Sequence, residues 1–374
     1  MRYYIIAGEA SGDLHGSNLI KELKKLDEEA VIRCWGGDKM QEQGGQLVKH
    51  YRDLAFMGFV EVITNLKTIL NNLKFCKEDI LQFKPDAIVL IDYPGFNLRI
   101  AAWAREQGIK VIYYISPQVW AWKENRVKKM KQCIDKMLVI LPFEKEYYHN
   151  KWNWEVEYVG HPLVEVVESW QLAAENLSQT TAHSPHTIAL LPGSRKQEIL
   201  KKLPVMLEVS KNFPAYQFIV AKAPGLDESF YDELLKPYPN VSYVSGKTYD
   251  LLMQSRAALV TSGTATLETA LFGVPEVVCY KGNPISYQIA KRLITIKYIS
   301  LVNLIMDKEV VKELIQNDLT VANLNQELTN LLNNPQRIAQ LKEDYRQLKE
   351  KLQQGGNASV KAAASIYHFL QLSK

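Results

Sequence analysis

The sequence lacks any apolar run near the roughly 20 residues that a helix needs to span a bilayer. Residues 1–7 have a strand-like pattern and are followed almost at once by Glu9 and Asp13, so we do not expect a signal peptide. We therefore expect a protein that is soluble or that lies on a membrane without crossing it.

Cysteine is scarce and net charge is small. The four cysteines are far apart, and none has CxxC spacing, which predicts reduced thiols in a cytosolic protein and not disulfides. No Asp-x-Asp motif occurs and the histidines are scattered, so we expect metal-independent chemistry with no cofactor. The net charge of +4 does not favour nucleic acid as a partner.

Strand-like apolar runs alternate with helical periodicity along most of the 374 residues. This pattern predicts an α/β protein with two Rossmann-like, doubly wound parallel-sheet domains facing across a cleft. We expect an N-terminal acceptor- and lipid-binding domain over 1–167, a linker over 168–187 and a C-terminal nucleotide-sugar domain over 188–350. The remaining helix, 351–374, is predicted to pack back on the N-terminal domain.

The segment 261–278 is the most informative in the second half. An apolar strand ends in a Ser-Gly-Thr turn that opens a short helix, which presents backbone N–H groups and hydroxyls to an anion. The candidate ligands of a nucleotide diphosphate are Ser262, Gly263, Thr264 and Thr266, and Glu268 is placed for a ribose. A well-capped βα turn without a ligand is an equally good interpretation of this segment alone.

A second strand-turn-helix segment, 190–195, ends in Arg195. A guanidinium there is placed to bind a phosphate through two hydrogen bonds. Two turns suited to binding an anion therefore lie in the second half of the sequence, and Lys281 follows the last strand shortly afterwards. Together they favour a diphosphate site.

The first half carries two further candidates, each directly after a strand. The segment 8–16 contains four polar residues, which either line the acceptor side of the cleft or cap the helix: Glu9, Ser11, Asp13 and His15. Asp92 ends a strongly apolar strand before Pro94 and Gly95, so it is either a partly desolvated general base or an Asx-turn residue.

An apolar stripe spans residues 56–73, with its later members at helical spacing. It is either core packing or a surface for acyl chains and membrane. The candidate surface residues are Met57, Phe59, Val60, Val62, Ile63, Leu66, Ile69, Leu70, Trp120, Trp122, Lys123 and Arg126. The tryptophans beside a basic cluster at 123–131 support the membrane interpretation.

Seven segments, in their order and spacing, resemble the lipid-A-disaccharide synthase family (glycosyltransferase family 19 of the GT-B superfamily). They are 8–13, 57–62, 116–122, 141–144, 160–162, 191–195 and 261–266. Ser-Pro-Gln-Val-Trp-Ala-Trp and Pro-Gly-Ser-Arg are together highly specific, and the resemblance extends from residue 3 to about residue 316.

The resemblance implies an inverting glycosyltransferase of lipid A and lipopolysaccharide biosynthesis. Such enzymes join UDP-2,3-diacylglucosamine to 2,3-diacylglucosamine 1-phosphate and give a β-1,6 disaccharide and UDP. The resemblance makes Asp92 the catalytic residue and places Arg195 and Asn303 on the UDP. Gly95 stands where the family often has an acidic residue, and Val302 replaces a proline before Asn303.

The resemblance also implies a location on the cytoplasmic face of the inner membrane, contact with membrane lipids and a possible homodimer. The sequence leaves open which of Lys123, Arg126 and Lys128 bind the acceptor phosphate. Two other functions remain open as alternatives. A UDP-sugar epimerase on the same scaffold would need no lipid, and a membrane-binding module with vestigial nucleotide pockets would not need Asp92.

Overall fold

A computed structural model describes residues 1–54, 66–176, 186–223, 225–284, 287–288 and 296–372, except the side chains of Leu66 and Glu175. The chain folds into two compact units. One comprises Met1–Pro162 and Leu352–Lys374, and the other comprises Leu163–Lys351.

The first unit contains a parallel seven-stranded sheet in its described part, in the order β3-β2-β1-β4-β5-β6-β7. The strands are β1 (Arg2–Ala7), β2 (Val31–Gly36), β3 (Gln46–His50), β4 (Ala87–Ile91), β5 (Lys110–Tyr114), β6 (Lys136–Val139) and β7 (Glu157–Tyr158). The described helices are α1 (Ala10–Leu26), α2 (Asp38–Glu42), α3 (Leu66–Phe83), α4 (Pro94–Glu106), α5 (Arg126–Cys133) and α6 (Pro142–Trp152). The central strands β1 and β4 are almost wholly buried, as expected for strands covered by helices on both faces.

The second unit repeats this plan with a parallel six-stranded sheet in the order β10-β9-β8-β11-β12-β13. Its strands are β8 (Thr187–Leu191), β9 (Gln217–Lys222), β10 (Val241–Ser245), β11 (Ala257–Thr261), β12 (Glu276–Tyr280) and β13 (Lys312–Ile315). Its described helices are α7 (Pro162–Asn176), α8 (Lys196–Ser210), α9 (Glu228–Leu235), α10 (Thr248–Gln254), α11 (Thr264–Leu271), α12 (Leu301–Met306), α13 (Val321–Asn333) and α14 (Pro335–Gln353). The predicted doubly wound parallel sheets are confirmed.

Each sheet has a point at which the strand order reverses. It lies between β1 and β4 in the first unit and between β8 and β11 in the second. Because helices leave the two sides of such a point in opposite directions, the carboxyl ends of these strands are where open α/β sheets bind ligands. All four turns singled out in the sequence follow these strands.

The final helix, α15 (Ala358–Gln371), packs on the first unit. Its buried face includes Ala362 and Ile366, which share a core cluster with Leu19 and Ile20 of α1. Residues 168–176 of the predicted linker belong to α7, and Val166 and Val167 of this helix are buried. The predicted domain boundaries themselves stay a prediction.

The chain reaches α15 through a close backbone crossing. A Cβ atom on Gly355 would lie 2.1 Å from the Cα of Gly160, and Gly160 and Gly356 have φ values of +95° and +75°. Glycine is required there because any side chain would separate the two segments.

Glu276, at the start of β12, is fully buried, and neither of its carboxyl oxygens has a hydrogen-bond partner. Burial raises its pKa well above the ordinary value of 4.5. In the unfolded chain Glu276 ionises freely above pH 4.5, whereas in the folded chain it stays protonated. Its contribution therefore lowers the free energy of unfolding as pH rises, by up to about 1.4 kcal/mol per pH unit. We therefore predict that Glu276→Gln raises the free energy of unfolding at pH 8 and leaves it nearly unchanged at pH 4.

Urea titrations of wild type and variant at a series of pH values measure this difference. Glu233→Gln, at an exposed position of the same unit, is the matched control and should show little difference at any pH. Equal unfolding midpoints for wild type and Glu276→Gln at pH 8 would contradict the prediction.

Candidate functional site

Asp92 follows β4 in a constrained backbone conformation. Asp92 and Tyr93 have φ values of +43° and +47°, which is the left-handed region and is unfavourable for residues with a side chain. The turn is held by the Asp92 carbonyl, which accepts hydrogen bonds from the Asn97 amide at 2.8 Å and from the Tyr113 hydroxyl at 2.6 Å. The surrounding structure therefore fixes where the Asp92 carboxylate projects.

The turn after β1 packs directly against this one. A Cβ atom on Gly8 would lie 2.3 Å from Cγ of Tyr93, so only glycine permits the approach. Glu9 follows as the N-cap residue of α1 and lies close enough for its charge to act on Asp92. The first unit thus brings two carboxyl groups to the carboxyl ends of β1 and β4.

Burial raises the pKa of Asp92 to about 7, and the negative charge of Glu9 contributes to the rise, while a hydrogen bond from the Tyr93 backbone N–H opposes it. A carboxyl group with a pKa near the working pH is well suited to general-base catalysis, because it is available in the ionised form and still binds a proton readily. The electrostatics fit the role predicted for Asp92.

Glu144 is a second buried carboxyl group near Asp92. It accepts hydrogen bonds from the backbone N–H groups of Leu141 and Ile140 at 2.9 and 3.3 Å and from the Trp120 indole at 3.2 Å. Burial raises its pKa to about 7, those hydrogen bonds oppose the rise, and the charge of Asp92 adds to it. Sequence reasoning did not assign Glu144 a role, although it ends the 141–144 segment.

The two tryptophans of the predicted membrane surface differ in exposure, and their membrane role stays a prediction. Trp120 is partly buried, and its ring also packs edge-on against Phe143 with centroids 5.0 Å apart. Trp122, by contrast, is half exposed, and Lys123 Nζ lies 3.9 Å from the centre of its ring. Of the two tryptophans, Trp122 is therefore the more exposed, and Arg126 lies partly exposed at the start of α5.

The predicted apolar stripe is only partly described. Met57, Phe59, Val60, Val62, Ile63 and the Leu66 side chain lie outside the described residues. On α3, Ile69 packs against the core and Leu73 is buried, whereas Leu70 is 53% exposed. The described end of the stripe therefore contributes mainly to the core.

Of the four acceptor-side candidates, Glu9 and Ser11 are accessible and the other two are not. Asp13 is buried, and its carboxylate accepts hydrogen bonds from the backbone N–H groups of Gly37, Lys39 and Met40 at 2.7–3.2 Å. It therefore stabilises the start of α2, and its predicted place on the acceptor side stays a prediction.

His15 is 9% exposed, and its predicted place on the acceptor side stays a prediction. Burial lowers its pKa to about 4, and the pKa of the buried His161 falls to about 3 through burial and the proximity of His15. Both imidazoles are consequently neutral at physiological pH and belong to the interior of the first unit.

The two predicted anion-binding turns of the second unit, at 190–195 and 261–266, lie side by side. They follow β8 and β11, which are hydrogen-bonded neighbours with Leu191 opposite Val260. Gly193, at φ +118°, would place a Cβ atom 3.1 Å from the Glu198 carboxylate and 3.6 Å from Thr261 Cγ2. The sheet therefore positions both turns at one edge, as their sequence order predicts.

A buried lysine lies beneath these turns. Lys202 of α8 is 3% exposed, its ammonium donates to the Thr261 hydroxyl, and it lies 3.9 Å from the Glu198 carboxylate. Burial lowers its pKa, and Glu198 opposes that effect. Sequence reasoning missed Lys202. The available signal was its position seven residues, or two helical turns, after Arg195.

Arg195 is the N-cap residue of α8, and its guanidinium is half exposed, 3.4 Å from Glu198. The other turn has Gly263 as the N-cap of α11, with open space around it, followed by the exposed Thr264. A guanidinium and two helix N-termini at one edge of a sheet have the chemistry of a diphosphate site.

Two hydroxyls of the turn hold the protein itself. Ser262 donates to the Ile299 carbonyl at 2.8 Å and remains partly exposed. Thr266 is fully buried and donates to the Gly263 carbonyl at 2.8 Å. Thr266 therefore shapes the turn, and its predicted UDP contact stays a prediction.

Asn303 lies in the interior of the second unit, and its predicted UDP contact stays a prediction. Its amide is buried, donates to the Val311 carbonyl and the Glu313 carboxylate, both at 2.9 Å, and accepts from the backbone N–H groups of Val310 and Val311. All its hydrogen-bonding capacity is used to hold α12 against β13.

Glu268 is partly buried on α11 and accepts a hydrogen bond from the Tyr249 hydroxyl at 2.9 Å. Burial raises the pKa of Glu268, and the Tyr249 hydrogen bond opposes the rise. The Tyr249 ring contacts Trp170 and Phe272 at centroid distances of 5.6 and 5.2 Å. The predicted ribose contact of Glu268 stays a prediction.

Within the part of the chain that the structure describes, no three histidine, cysteine or acidic residues cluster closely enough to hold a metal ion. Metal independence stays a prediction. Among those same residues, no helix combines the length and apolarity required to cross a bilayer.

Comparison of structures shows the fold class. A UDP-GlcNAc 2-epimerase from Neisseria meningitidis, solved with UDP-GlcNAc, superimposes with a TM-score of 0.69 at 13% identity and covers 100% of both chains. The calicheamicin glycosyltransferase superimposes with a TM-score of 0.61 at 14% identity and covers 100% of this chain and 98% of that one. These likenesses confirm the predicted GT-B fold.

Comparison of sequences separates the glycosyltransferase from the epimerase alternative. The lipid-A-disaccharide synthase of Syntrophus aciditrophicus is 40% identical over 97% of this chain and 96% of its own length. That of Geobacter metallireducens is 38% identical over 99% and 97%, respectively. A family model described as lipid-A-disaccharide synthetase matches residues 3–367. The chain therefore belongs to the lipid-A-disaccharide synthase family of glycosyltransferases.

Proposed function

We propose that this chain transfers 2,3-diacylglucosamine from UDP to the 6-hydroxyl of 2,3-diacylglucosamine 1-phosphate with inversion at the anomeric carbon. The observation that carries the proposal is Asp92, a carboxyl group with a pKa of about 7 on a fixed turn at the carboxyl end of β4. A single base of this kind is what a direct displacement requires.

In the proposed step, the acceptor 6-oxygen attacks the anomeric carbon while its proton passes to Asp92. The new C–O bond forms as the bond from the anomeric carbon to UDP breaks, and the electron pair leaves with the diphosphate. Because attack and departure occur on opposite faces of the sugar, an α-linked donor gives a β-linked product. No covalent enzyme intermediate is involved.

The charge of the departing diphosphate is proposed to be stabilised by Arg195 and the N-terminus of α11. Lys202 supports the same region from below through its hydrogen bond to Thr261. Fixed positive groups of this kind stabilise developing negative charge more effectively than water does, because they need no reorganisation during the reaction. Ser262, Gly263 and Thr264 contribute the turn, and Glu268 is proposed to bind the ribose.

We further propose that the enzyme works at the cytoplasmic face of the inner membrane as a peripheral protein. Both substrates carry acyl chains, and exposed Trp122 with its neighbour Lys123 has the chemistry of a headgroup interface. Flotation of the protein with phospholipid vesicles tests this localisation, and a protein that stays at the bottom of the gradient would contradict it.

The activity is tested by incubating the protein with both substrates and measuring UDP and disaccharide together. Controls omit the donor or the acceptor in turn. The proposal predicts equimolar UDP and disaccharide only when both are present. Production of an epimeric UDP-sugar from the donor alone would instead support the epimerase alternative.

The pH dependence of kcat/KM should report the proposed base. Only ionised Asp92 accepts a proton, so kcat/KM should fall about tenfold per pH unit below pH 7 and level off above it. Initial rates measured from pH 5 to pH 9 give the profile.

Glu144 has a similarly raised pKa, so the Glu144→Gln variant shows which of the two carboxyl groups causes the fall in kcat/KM. If Asp92 is the base, kcat/KM of this variant still falls below pH 7 (the acidic limb of the profile). Loss of the limb in Glu144→Gln would assign the titration to Glu144 and contradict the proposed role of Asp92.

A further inference from the structure

A pocket of about 390 Å³ lies in the first unit beside the turn after β4 that carries Asp92. It opens between the start of α4 and the start of α5, with Pro94 and Gly95 on one side and Asn125 and Arg126 on the other. Pro94 is only two residues after Asp92, so the pocket begins where the turn that carries Asp92 ends. A Cβ atom on Gly95 would have no neighbour within 4 Å, which leaves this wall open.

Three cationic side chains line the pocket. Arg99 projects from α4, and Arg126 and Lys129 are three residues apart on α5, a spacing that places them on one helical face. Aspartate and glutamate are absent from the described lining. The pocket therefore presents concentrated positive charge.

Neighbouring cations on the same two helices are already engaged. Arg105 of α4 pairs with Asp135 at 2.9 Å, and Lys131 of α5 donates to the Trp152 and Asn153 carbonyls. In contrast, none of the three lining cations has a carboxylate oxygen within 4.0 Å among the described residues. They are available to an anionic ligand.

The N-terminus of α4 adds to this preference. The helix is 13 residues long and begins with Pro94 at the mouth of the pocket. The helix dipole favours negative charge at this end. The pocket thus combines a helix N-terminus with three cations, which is the chemistry of a phosphate monoester site.

The pocket also lies near the turn that carries Asp92. Arg126 is close enough for its charge to act on the Tyr113 hydroxyl, and that hydroxyl donates to the backbone carbonyl of Asp92 at 2.6 Å. A phosphate bound to Arg126 would therefore place the rest of its sugar near this turn.

We propose that this pocket binds the anomeric phosphate of the acceptor, an assignment that rests on the proposed function. In a glucopyranose, C1, which carries the phosphate, and C5, which carries the 6-hydroxymethyl group, flank the same ring oxygen, so the two groups are only a few bonds apart. Binding the phosphate by Arg99, Arg126 and Lys129 orients the ring so that its 6-hydroxyl points to Asp92. The pocket thereby selects a phosphorylated acceptor and aligns its nucleophile.

The test compares Arg99→Ala and Lys129→Ala with Lys128→Ala. Lys128 is exposed on the same helix but does not line the pocket, so its loss removes the same charge without touching the site. KM for detergent-solubilised diacylglucosamine 1-phosphate should rise about tenfold or more in each pocket variant, as expected for a charged hydrogen bond. It should change little in Lys128→Ala, and KM for the donor should be unchanged in all three.

An acceptor lacking the phosphate provides the second arm. The pocket variants and the wild type should use diacylglucosamine with equal kcat/KM, or be equally inactive on it, since the lost contact is absent from this substrate. A rise in KM of the same size in Lys128→Ala, or no rise in the pocket variants, would overturn the assignment.

A phospholipid headgroup offers the same phosphate chemistry, and vesicles distinguish this source. If the pocket variants lose binding to vesicles of phosphatidylglycerol and phosphatidylcholine but keep the wild-type KM for the solubilised acceptor, the site serves the membrane and the proposal is wrong. Absence of disaccharide formation by the wild type would reject the proposed function itself. Turnover with unchanged KM values in the variants would reject the pocket assignment alone.

Discussion

Asp92→Asn should lower kcat by about 10²–10⁴-fold, the usual contribution of a general base. Asparagine preserves the shape of the side chain and tolerates the left-handed backbone found at this position. It cannot take up a proton from the acceptor hydroxyl. The expected result is therefore a loss of turnover in a correctly folded protein, measured as UDP release at saturating concentrations of both substrates.

Two controls separate chemistry from folding. Asp86→Asn changes an aspartate just before the opposite end of β4 and should retain wild-type turnover. UDP affinity of Asp92→Asn should match the wild type, because the proposed UDP ligands belong to the second unit. A kcat within a few-fold of the wild-type value in Asp92→Asn would remove Asp92 from the mechanism.

Arg195→Ala should weaken UDP binding by about 10- to 100-fold. A hydrogen bond between a guanidinium and a phosphate contributes roughly 1.5–3 kcal/mol, and the Arg195 side chain is half exposed at the start of α8, where a phosphate can reach it. Isothermal titration calorimetry with UDP measures the change directly. Since the diphosphate is also the leaving group, kcat should fall as well.

Lys211→Ala is the matched control for charge. Lys211 lies at the C-cap of the same helix and pairs with Glu208 at 2.8 Å, so its removal should leave the UDP affinity unchanged. If Arg195→Ala binds UDP as tightly as the wild type, the diphosphate does not lie on the turn after β8.

The sequence predicted the fold and the location of the turns well. Continuous apolar runs such as β4 identify parallel strands, and polar segments directly after them mark the carboxyl edge of each sheet. Asp92 and Arg195 could be identified as candidate site residues in this way because each lies in a turn directly after a strand. Their positions at the edges of the sheets depend on local sequence and on topology alone.

The roles of several polar side chains could not be predicted from spacing. Asp13, Thr266 and Asn303 lie near the starts of helices, in segments with the right composition for ligand binding, and each satisfies backbone groups of the protein. A turn residue can bind either a ligand or its own backbone with the same chemistry. Tertiary packing decides between them, and a single sequence does not encode that decision locally.

Residues that act from a helix or from a distant turn were missed for the same reason. Lys202 resembles other lysines of α8 in sequence, yet it is the one buried beneath Thr261. Glu144 acquires its raised pKa only because the fold buries it near Asp92. Burial and long-range proximity are properties of the packed chain.

The stereochemistry of the product tests the central claim most directly. If Asp92 activates the acceptor for a single displacement, the α-linked donor must give a disaccharide with a β-1,6 linkage, which the anomeric proton coupling in the NMR spectrum identifies. An α-linked product would require two displacements or a different route, and it would contradict the mechanism.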